Sequence, residues 1–171
     1  HFCLDAIGVI VEMCNTHNSN LTWGLRRHGS TDNRHRAGPH QWAVFGLDAN
    51  QHIDIYYDDF PNDAEAFNLV GYITAGATFY DNGHDITPLA NDAYQLVGLA
   101  GYLANPIMAF IELDSGVGTE DWAIRKNWAC GDIYSWCGNH NFAIVHPNTP
   151  NGNIEMKLSH ADIELYLVGI A

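Results

Sequence analysis

Histidine has the widest chemical repertoire among the residue types in this sequence, and ten histidines are spread over its 171 residues. If His1 is the mature amino terminus, its α-amino group and imidazole can chelate one Cu(II) ion together. A second histidine would complete a histidine brace of the kind used by secreted copper monooxygenases, although no spacing demonstrates the square-planar set. Candidate partners are His17, His28, His35, His40 and His140. A copper-dependent redox enzyme built on His1 is therefore one hypothesis.

Acidic residues near the middle of the chain suggest a second metal hypothesis. They are Asp54, Asp58, Asp59, Asp63 and Glu65. Carboxylate oxygens suit Ca²⁺, but the spacing is not that of an EF-hand loop. Calcium binding and an ordinary solvated cluster both remain open.

Aromatic residues crowd the segment around the last two cysteines. They are Trp122, Trp128, Tyr134 and Trp136. An exposed ring on a β-sandwich can stack on a sugar, whereas a buried ring fills the core. We assign Trp122 and Trp128 to the core, and we assign Trp136, in a tight Ser-Trp-Cys loop, to a ligand-binding surface.

The sequence carries no motif for hydrolytic catalysis. It has no G-x-S-x-G elbow, and no pair among its many carboxylates stands out as a glycosidase pair. We therefore expect a binding protein rather than an enzyme.

Four cysteines and one glycosylation sequon indicate a secreted chain. Cys3 with Cys14 would staple an N-terminal hairpin, and Cys130 with Cys137 would close a short loop, although four cysteines permit three connectivities. A zinc site is disfavoured because there are no C-x-x-C pairs. Asn20 begins the sequon Asn-Leu-Thr, and the lack of an initiator Met fits a signal-cleaved mature protein.

The formal net charge of -13 excludes some partners. Such an acidic surface repels the phosphates of nucleic acids and of anionic membranes. No apolar run approaches the roughly 20 residues of a spanning helix, so we expect no membrane span. The basic residues between positions 26 and 36 could form one positive patch on this acidic body, but we favour a solvated loop. We expect the long irregular stretch 28–40 to be an exposed loop.

Period-two alternation is the main structural signal. Apolar residues alternate with polar ones in three segments, 21–26, 154–159 and 162–167. Further strands are predicted at 7–13, 42–47, 53–57, 69–74, 77–80, 94–100, 107–113 and 142–145, and only 62–68 looks helical. Turns are predicted at 81–83 and 150–153, where Asn and Gly tolerate positive φ. About ten short strands predict one all-β domain, a sandwich or barrel, over residues 1–171.

Residues 42 to about 152 resemble a DOMON domain, the sandwich module of dopamine β-monooxygenase and of the cytochrome part of cellobiose dehydrogenase. The resemblance rests on five pieces in the family order: 41–47 (QWAVFGL), 69–74 with 79–81 (LVGYIT, FYD), 88–96 (PLANDAYQL), 110–116 with 120–124 (FIELDSG, EDWAI), and 145–147 (VHP) followed by Gly152. It implies an immunoglobulin-like antiparallel β-sandwich of about ten strands.

The same resemblance implies a haem ligand. His146 matches the axial histidine of the haem-binding members, but the axial Met expected after the early strand is replaced by residues 63–67 (DAEAF). The family's usual Arg on the late strand is replaced by Glu112. These departures favour a non-catalytic binding or assembly module whose ligand is either a haem b-like cofactor or a glycan. The alternatives are the copper enzyme and a self-associating structural extracellular protein.

Overall fold

The computed structural model describes residues 5–15, 22–38, 40–57, 65–102, 104, 106–118, 120–130, 135–136, 140–148 and 151–171. These residues form fourteen strands and no helix, and every strand pair is antiparallel. The predicted all-β sandwich is therefore confirmed. Within the described chain no helix is long and apolar enough to cross a membrane.

The strands follow one another along the chain with short connections. They are β1 (Gly8–Asn15), β2 (Thr22–Arg27), β3 (Arg36–Ala37), β4 (His40–Gly46), β5 (Ile53–Tyr57), β6 (Glu65–Ile73), β7 (Thr78–Asp85), β8 (Gln95–Gly98), β9 (Ala109–Ser115), β10 (Asp121–Arg125), β11 (Ser135–Trp136), β12 (His140–Val145), β13 (Asn153–Leu158) and β14 (Ile163–Ile170). They make four sheets. Sheet I has the order β4-β1-β6, sheet II β3-β2-β5, sheet III β12-β9-β14-β7 and sheet IV β11-β10-β13-β8.

The largest core lies between sheets III and IV. Alternate residues of β9, β13 and β14 are fully buried there, among them Ile111, Ile154, Met156 and Leu165. Ile154, Met156 and Leu165 are apolar positions of the alternating segments, so the predicted inward face of β13 and β14 is confirmed. Their polar neighbours point to the opposite faces because successive side chains of a strand alternate.

Sheet III is covered on both faces. Phe110 and Val168 of its second face form a small cluster with Val44 of β4. A third cluster joins Trp23 and Leu25 of β2 to the apolar side chains of β1 and β4 in sheet I. Sheet III thus lies between sheet IV on one side and sheets I and II on the other, which makes it the central layer.

Strand β7 replaces a predicted turn. Its ends pair with β14 at Phe79 and at His84, and the register breaks between them, so Asn82 and Gly83 lie in an irregular stretch of strand. This stretch is tied to the segment after β2, because the Asn82 side chain accepts hydrogen bonds from Ser30 and Thr31. The Asn-Gly pair by itself predicts a turn, because the long-range partners of Asn82 cannot be seen in the sequence.

The predicted helix at 62–68 is wrong for the part that is described, because residues 65–68 belong to β6 and pair with β1. The remainder of that segment lies outside the described residues. The turn at Gly152 is confirmed. Gly152 has a φ of 61°, and its N–H donates to the Asn148 carbonyl at 2.8 Å.

Three glycines from different strands make room for one aromatic ring where sheets I and III meet. Phe79 of β7 stacks on Phe110 with ring centroids 5.0 Å apart. A Cβ on Gly8, Gly46 or Gly169 would overlap the Phe79 side chain, and at Gly169 it would lie 2.6 Å from Cδ1. Side chains larger than hydrogen therefore cannot occupy these positions unless the ring moves.

We expect Gly169→Ala to destabilise the protein by about 1–3 kcal/mol, the usual cost of overpacking a filled core. Gly101→Ala is the matched control because no atom lies within 4 Å of its added Cβ. Urea unfolding measures both variants. The proposed clash is refuted if Gly169→Ala costs as little as Gly101→Ala, or if Phe79→Leu does not relieve its effect.

Candidate ligand-binding cleft

A polar cleft of about 420 Å³ opens between sheet II and the segment that follows β2. Residues 24–26, 32–35 and 53–56 line it, and this definition of the polar cleft is kept below. Its volume falls within the range of small-molecule sites. The cleft therefore has the size of a ligand site, and its walls come from β2, β5 and one long connection.

Two arginines anchor that connection to sheet III. Arg34 Nη2 donates to Glu112 Oε2 and to Asp32 Oδ2, both at 2.6 Å. Arg36 Nη2 donates to Asp114 Oδ2 at 2.9 Å. The prediction of a solvated loop is therefore wrong for Arg34, which is only 11% exposed, whereas His28 of the same basic group is 55% exposed. The buried acids that bind these arginines lie far away in the sequence, on β9.

Glu112 is the centre of this buried network. Its second oxygen lies 2.8 Å from Nε2 of the fully buried His140. Burial opposes the negative charge, yet the hydrogen bonds and charges of His140 and Arg34 outweigh it and hold the pKa of Glu112 below its usual value. Burial raises the pKa of Asp114, and Arg36 only partly offsets that rise.

Asp54 is a partly exposed carboxylate of the polar cleft. It lies opposite Arg26 in the β2–β5 pair, and Arg26 Nε donates to its Oδ2 at 3.2 Å. Its Oδ1 lies 2.7 Å from Nδ1 of His28. The hydrogen bond with His28, together with Arg26, holds the pKa of Asp54 below its usual value, and the same bond raises the pKa of His28.

An exposed aromatic ring forms the other wall. Tyr56 is 45% exposed, and its ring centroid lies 4.3 Å from that of His35. This approach requires Gly24, the cross-strand neighbour of Tyr56, because a Cβ there would overlap the Arg34 carbonyl and lie 3.0 Å from His35 Cβ. The polar cleft thus combines an aromatic face with preorganised charged groups.

A second space, here called the apolar groove, opens between β1, β5 and β6. Its volume is about 220 Å³, and Gln51 is the one lining residue whose side chain carries an amide. Its other lining residues are Ala6, Val9, Val11, Leu47, Ile53, Ile55, Phe67, Leu69 and Tyr72. The set contains no His, Met or Cys, so the phenol of Tyr72 is the one lining side chain of a type that ligates haem iron.

Of the predicted ligand-binding residues, the structure describes His146 and the backbone of Trp136. His146 is exposed just after β12, where its Nδ1 donates to the Pro147 carbonyl at 2.6 Å, and it lines neither the polar cleft nor the apolar groove. Trp136 lies in β11 beside Asp121, and its side chain lies outside what is described. Trp122 packs against the main core as expected. The assignment of Trp128 to the core is wrong because Trp128 is 80% exposed.

Several other predicted residues lie outside the described chain. His1, Cys3, Asn20 and Cys137 belong to this group, so the copper brace, the sequon and both disulfide pairings stay predictions. Among the described residues no disulfide is seen, and neither Cys14 nor Cys130 has a cysteine partner there. Of the predicted calcium ligands, only the Asp54 side chain is described, and it is engaged by Arg26 and His28.

Sequence reasoning missed Arg26, Tyr56 and the role of Asp54 as parts of one site. The sequence pattern places Tyr56 in the strand predicted at 53–57 and indicates no binding role for it. The β2–β5 register of the structure places Gly24 opposite Tyr56 and Arg26 opposite Asp54. That pairing joins segments about thirty residues apart, and local patterns do not specify it.

We expect Glu112→Gln to cost about 3–5 kcal/mol of stability at neutral pH, because it removes one partner of a buried ion pair. The folded-state pKa of Glu112 is lowered, so its contribution is complete above the unfolded-state pKa of about 4.3 and is lost as pH falls through the folded value. Urea unfolding from pH 7 to pH 3 should therefore show the difference from wild type shrinking in acid. Glu164→Gln, an exposed carboxylate on β14, is the control and should change stability by about 0.5 kcal/mol or less. A difference that stays constant across this pH range would contradict the charged role of Glu112.

No protein-family model matches this sequence, and neither the curated proteins nor the solved structures include a significant match.

Proposed function

We propose that this chain is a secreted, non-catalytic binding module of DOMON-like type whose polar cleft binds one ring of a carbohydrate. One observation carries the proposal: the exposed ring of Tyr56 stands in the same open cleft as the paired charges of Asp54 and Arg26. Secretion rests on the four cysteines and the Asn20 sequon.

A sugar ring needs two kinds of contact. Its C–H face packs on an aromatic ring, which Tyr56 supplies, and its hydroxyls need several hydrogen-bonding groups with fixed positions. Asp54 is held by Arg26 and His28, and a carboxylate retains free lone pairs after accepting two hydrogen bonds. Because these groups are already positioned, a ligand would lose less binding energy in ordering them.

The cleft favours a glycan over haem among the ligands considered from sequence. Haem needs an apolar slot with axial ligands, but the apolar groove has no His, Met or Cys among its lining residues and falls below the usual volume of a ligand site. His146 lines neither space. The copper alternative depends on His1, which lies outside the described residues.

We expect Tyr56→Ala to weaken glycan binding at least tenfold, about 1.4 kcal/mol, because the stacking surface is removed. Isothermal titration calorimetry against a panel of neutral and uronic oligosaccharides measures the effect. Tyr72→Ala is the matched control, since Tyr72 is a similarly exposed tyrosine that lines the apolar groove instead.

Three results would overturn the proposal: two would place the ligand elsewhere, and one would exclude a carbohydrate. If Tyr72→Ala abolishes binding and Tyr56→Ala does not, the ligand occupies the apolar groove. If Trp128→Ala alone abolishes it, the ligand stacks on the exposed indole of the turn after β10. If no member of the panel binds the wild type, the carbohydrate proposal fails.

Self-association is the second candidate because two sheet edges carry exposed apolar side chains. Within the described residues β6 pairs only with β1, and β5 pairs only with β2. Leu69, Val70 and Tyr72 of β6 are each more than half exposed, and Ile55 of β5 is 40% exposed. Exposed apolar edges are templates for strand addition between copies.

If these edges mediate assembly, Val70→Lys should convert oligomers into monomers, because strand pairing between copies would bury the new positive charge. Sedimentation velocity over a range of protein concentrations measures this change. Leu89→Lys is the control, since Leu89 is 76% exposed in the loop after β7. A monomeric wild type at all concentrations would exclude the assembly function.

A further inference from the structure

The structure assigns a binding site for a divalent first-row transition-metal ion to His28, Asp48 and His52. One ligand atom from each side chain lies within 4.8 Å of the other two. The imidazole centroids of His28 and His52 are 5.7 Å apart with their planes nearly perpendicular. This arrangement is called the His-Asp-His cluster below.

The register of sheet II creates the cluster. Strands β2 and β5 pair with Arg27 opposite Ile53, so the next residue after β2, His28, stands beside the last residue before β5, His52. Asp48 belongs to the same short connection between β4 and β5 as His52. Residues separated by twenty positions in the sequence are thus brought to one corner of the sheet.

The donor set selects the class of ion. Imidazole nitrogens suit Zn²⁺, Cu²⁺ and Ni²⁺, whereas Ca²⁺ and Mg²⁺ prefer sets made of oxygen atoms. Ligand atoms lie about 2.0–2.2 Å from Zn²⁺ and therefore about 3–4 Å from one another. The exposed imidazole of His52 can close the remaining gap by rotating. Three protein ligands leave at least one coordination position for water or for an exogenous ligand.

Asp48 is positioned before any ion binds. Its Oδ1 accepts the backbone N–H of Asn50 at 3.0 Å and that of His52 at 2.6 Å. Its Oδ2 lies 3.5 Å from His52 Nδ1. One carboxylate oxygen therefore holds the loop, and the other faces the cluster.

Asp54 positions the second imidazole. It lies 2.7 Å from Nδ1 of His28 and is itself held by Arg26. When His28 donates its Nδ1–H to this carboxylate, Nε2 keeps the lone pair that a metal requires. A carboxylate behind a ligating histidine is the usual outer contact of such sites. Asp54 is a positioning residue here rather than a ligand.

The metal site does not depend on the proposed glycan function, although Asp54 also lines the polar cleft. Metal affinity can be measured without any carbohydrate. Tyr56→Ala should leave metal affinity unchanged, so failure of the carbohydrate proposal and failure of the metal proposal are distinguishable.

The test is calorimetric titration of the untagged full chain with Zn²⁺, together with Co²⁺ absorption spectra. We expect one ion per chain at this cluster, and we expect His28→Ala and His52→Ala each to weaken binding at least tenfold and to remove the Co²⁺ ligand-field bands. Asp54→Asn should weaken binding about 10- to 100-fold while these bands persist, as expected for an outer contact. His160→Ala, another exposed histidine beside an aspartate, is the control and should change nothing.

Both histidines are more than half exposed, so their substitution should leave the metal-free thermal unfolding temperature unchanged. Zn²⁺ should raise that temperature in the wild type and not in the His28→Ala, His52→Ala double variant. Undiminished Zn²⁺ binding in the double variant would overturn the assignment and place the ion elsewhere. Ca²⁺ binding as tight as Zn²⁺ binding would also overturn it.

Discussion

Buried carboxylates on the central sheet impose the main constraint on this molecule. Glu112 and Asp114 of β9 lie almost out of solvent, and leaving a buried charge without a partner costs several kcal/mol. Arg34 meets this requirement from the connection after β2 and Arg36 meets it from β3, while His140 contacts Glu112 from the neighbouring strand. If the connection moved into solvent, the buried carboxylates would lose their partners. Electrostatics therefore determines the path of the connection across sheet III.

That path shapes the polar cleft. The connection passes over Gly24, which has no side chain to hold it away, and it brings His35 onto the ring of Tyr56. The β2–β5 register then places Arg26 opposite Asp54 at the mouth of the cleft. Asp54 also contacts His28. The polar cleft and the His-Asp-His cluster therefore share this carboxylate and the β2–β5 strand pair. The polar cleft therefore combines one exposed aromatic ring with a few polar groups that are held by hydrogen bonds.

Local sequence patterns predicted the elements well and their partners poorly. The alternation at Ile154, Met156 and Leu158 indicated a half-buried strand, and all three side chains are fully buried. In contrast, Asn82-Gly83 indicated a turn but forms part of β7, because the Asn82 side chain binds the connection some fifty residues earlier. Trp128 was expected in the core on composition alone, and it is exposed because it falls in the turn after β10.

The sequence by itself determined the all-β class, the inward faces of the strands and an acidic body, because these follow from the period of a strand and from counting charges. Only the tertiary structure decided which charges meet. The partners Arg34 and Glu112 are 78 residues apart, and strand register, which sets such contacts, depends on all the pairings of a sheet at once. The polar cleft and the His-Asp-His cluster both arise from one such register, that of β2 with β5.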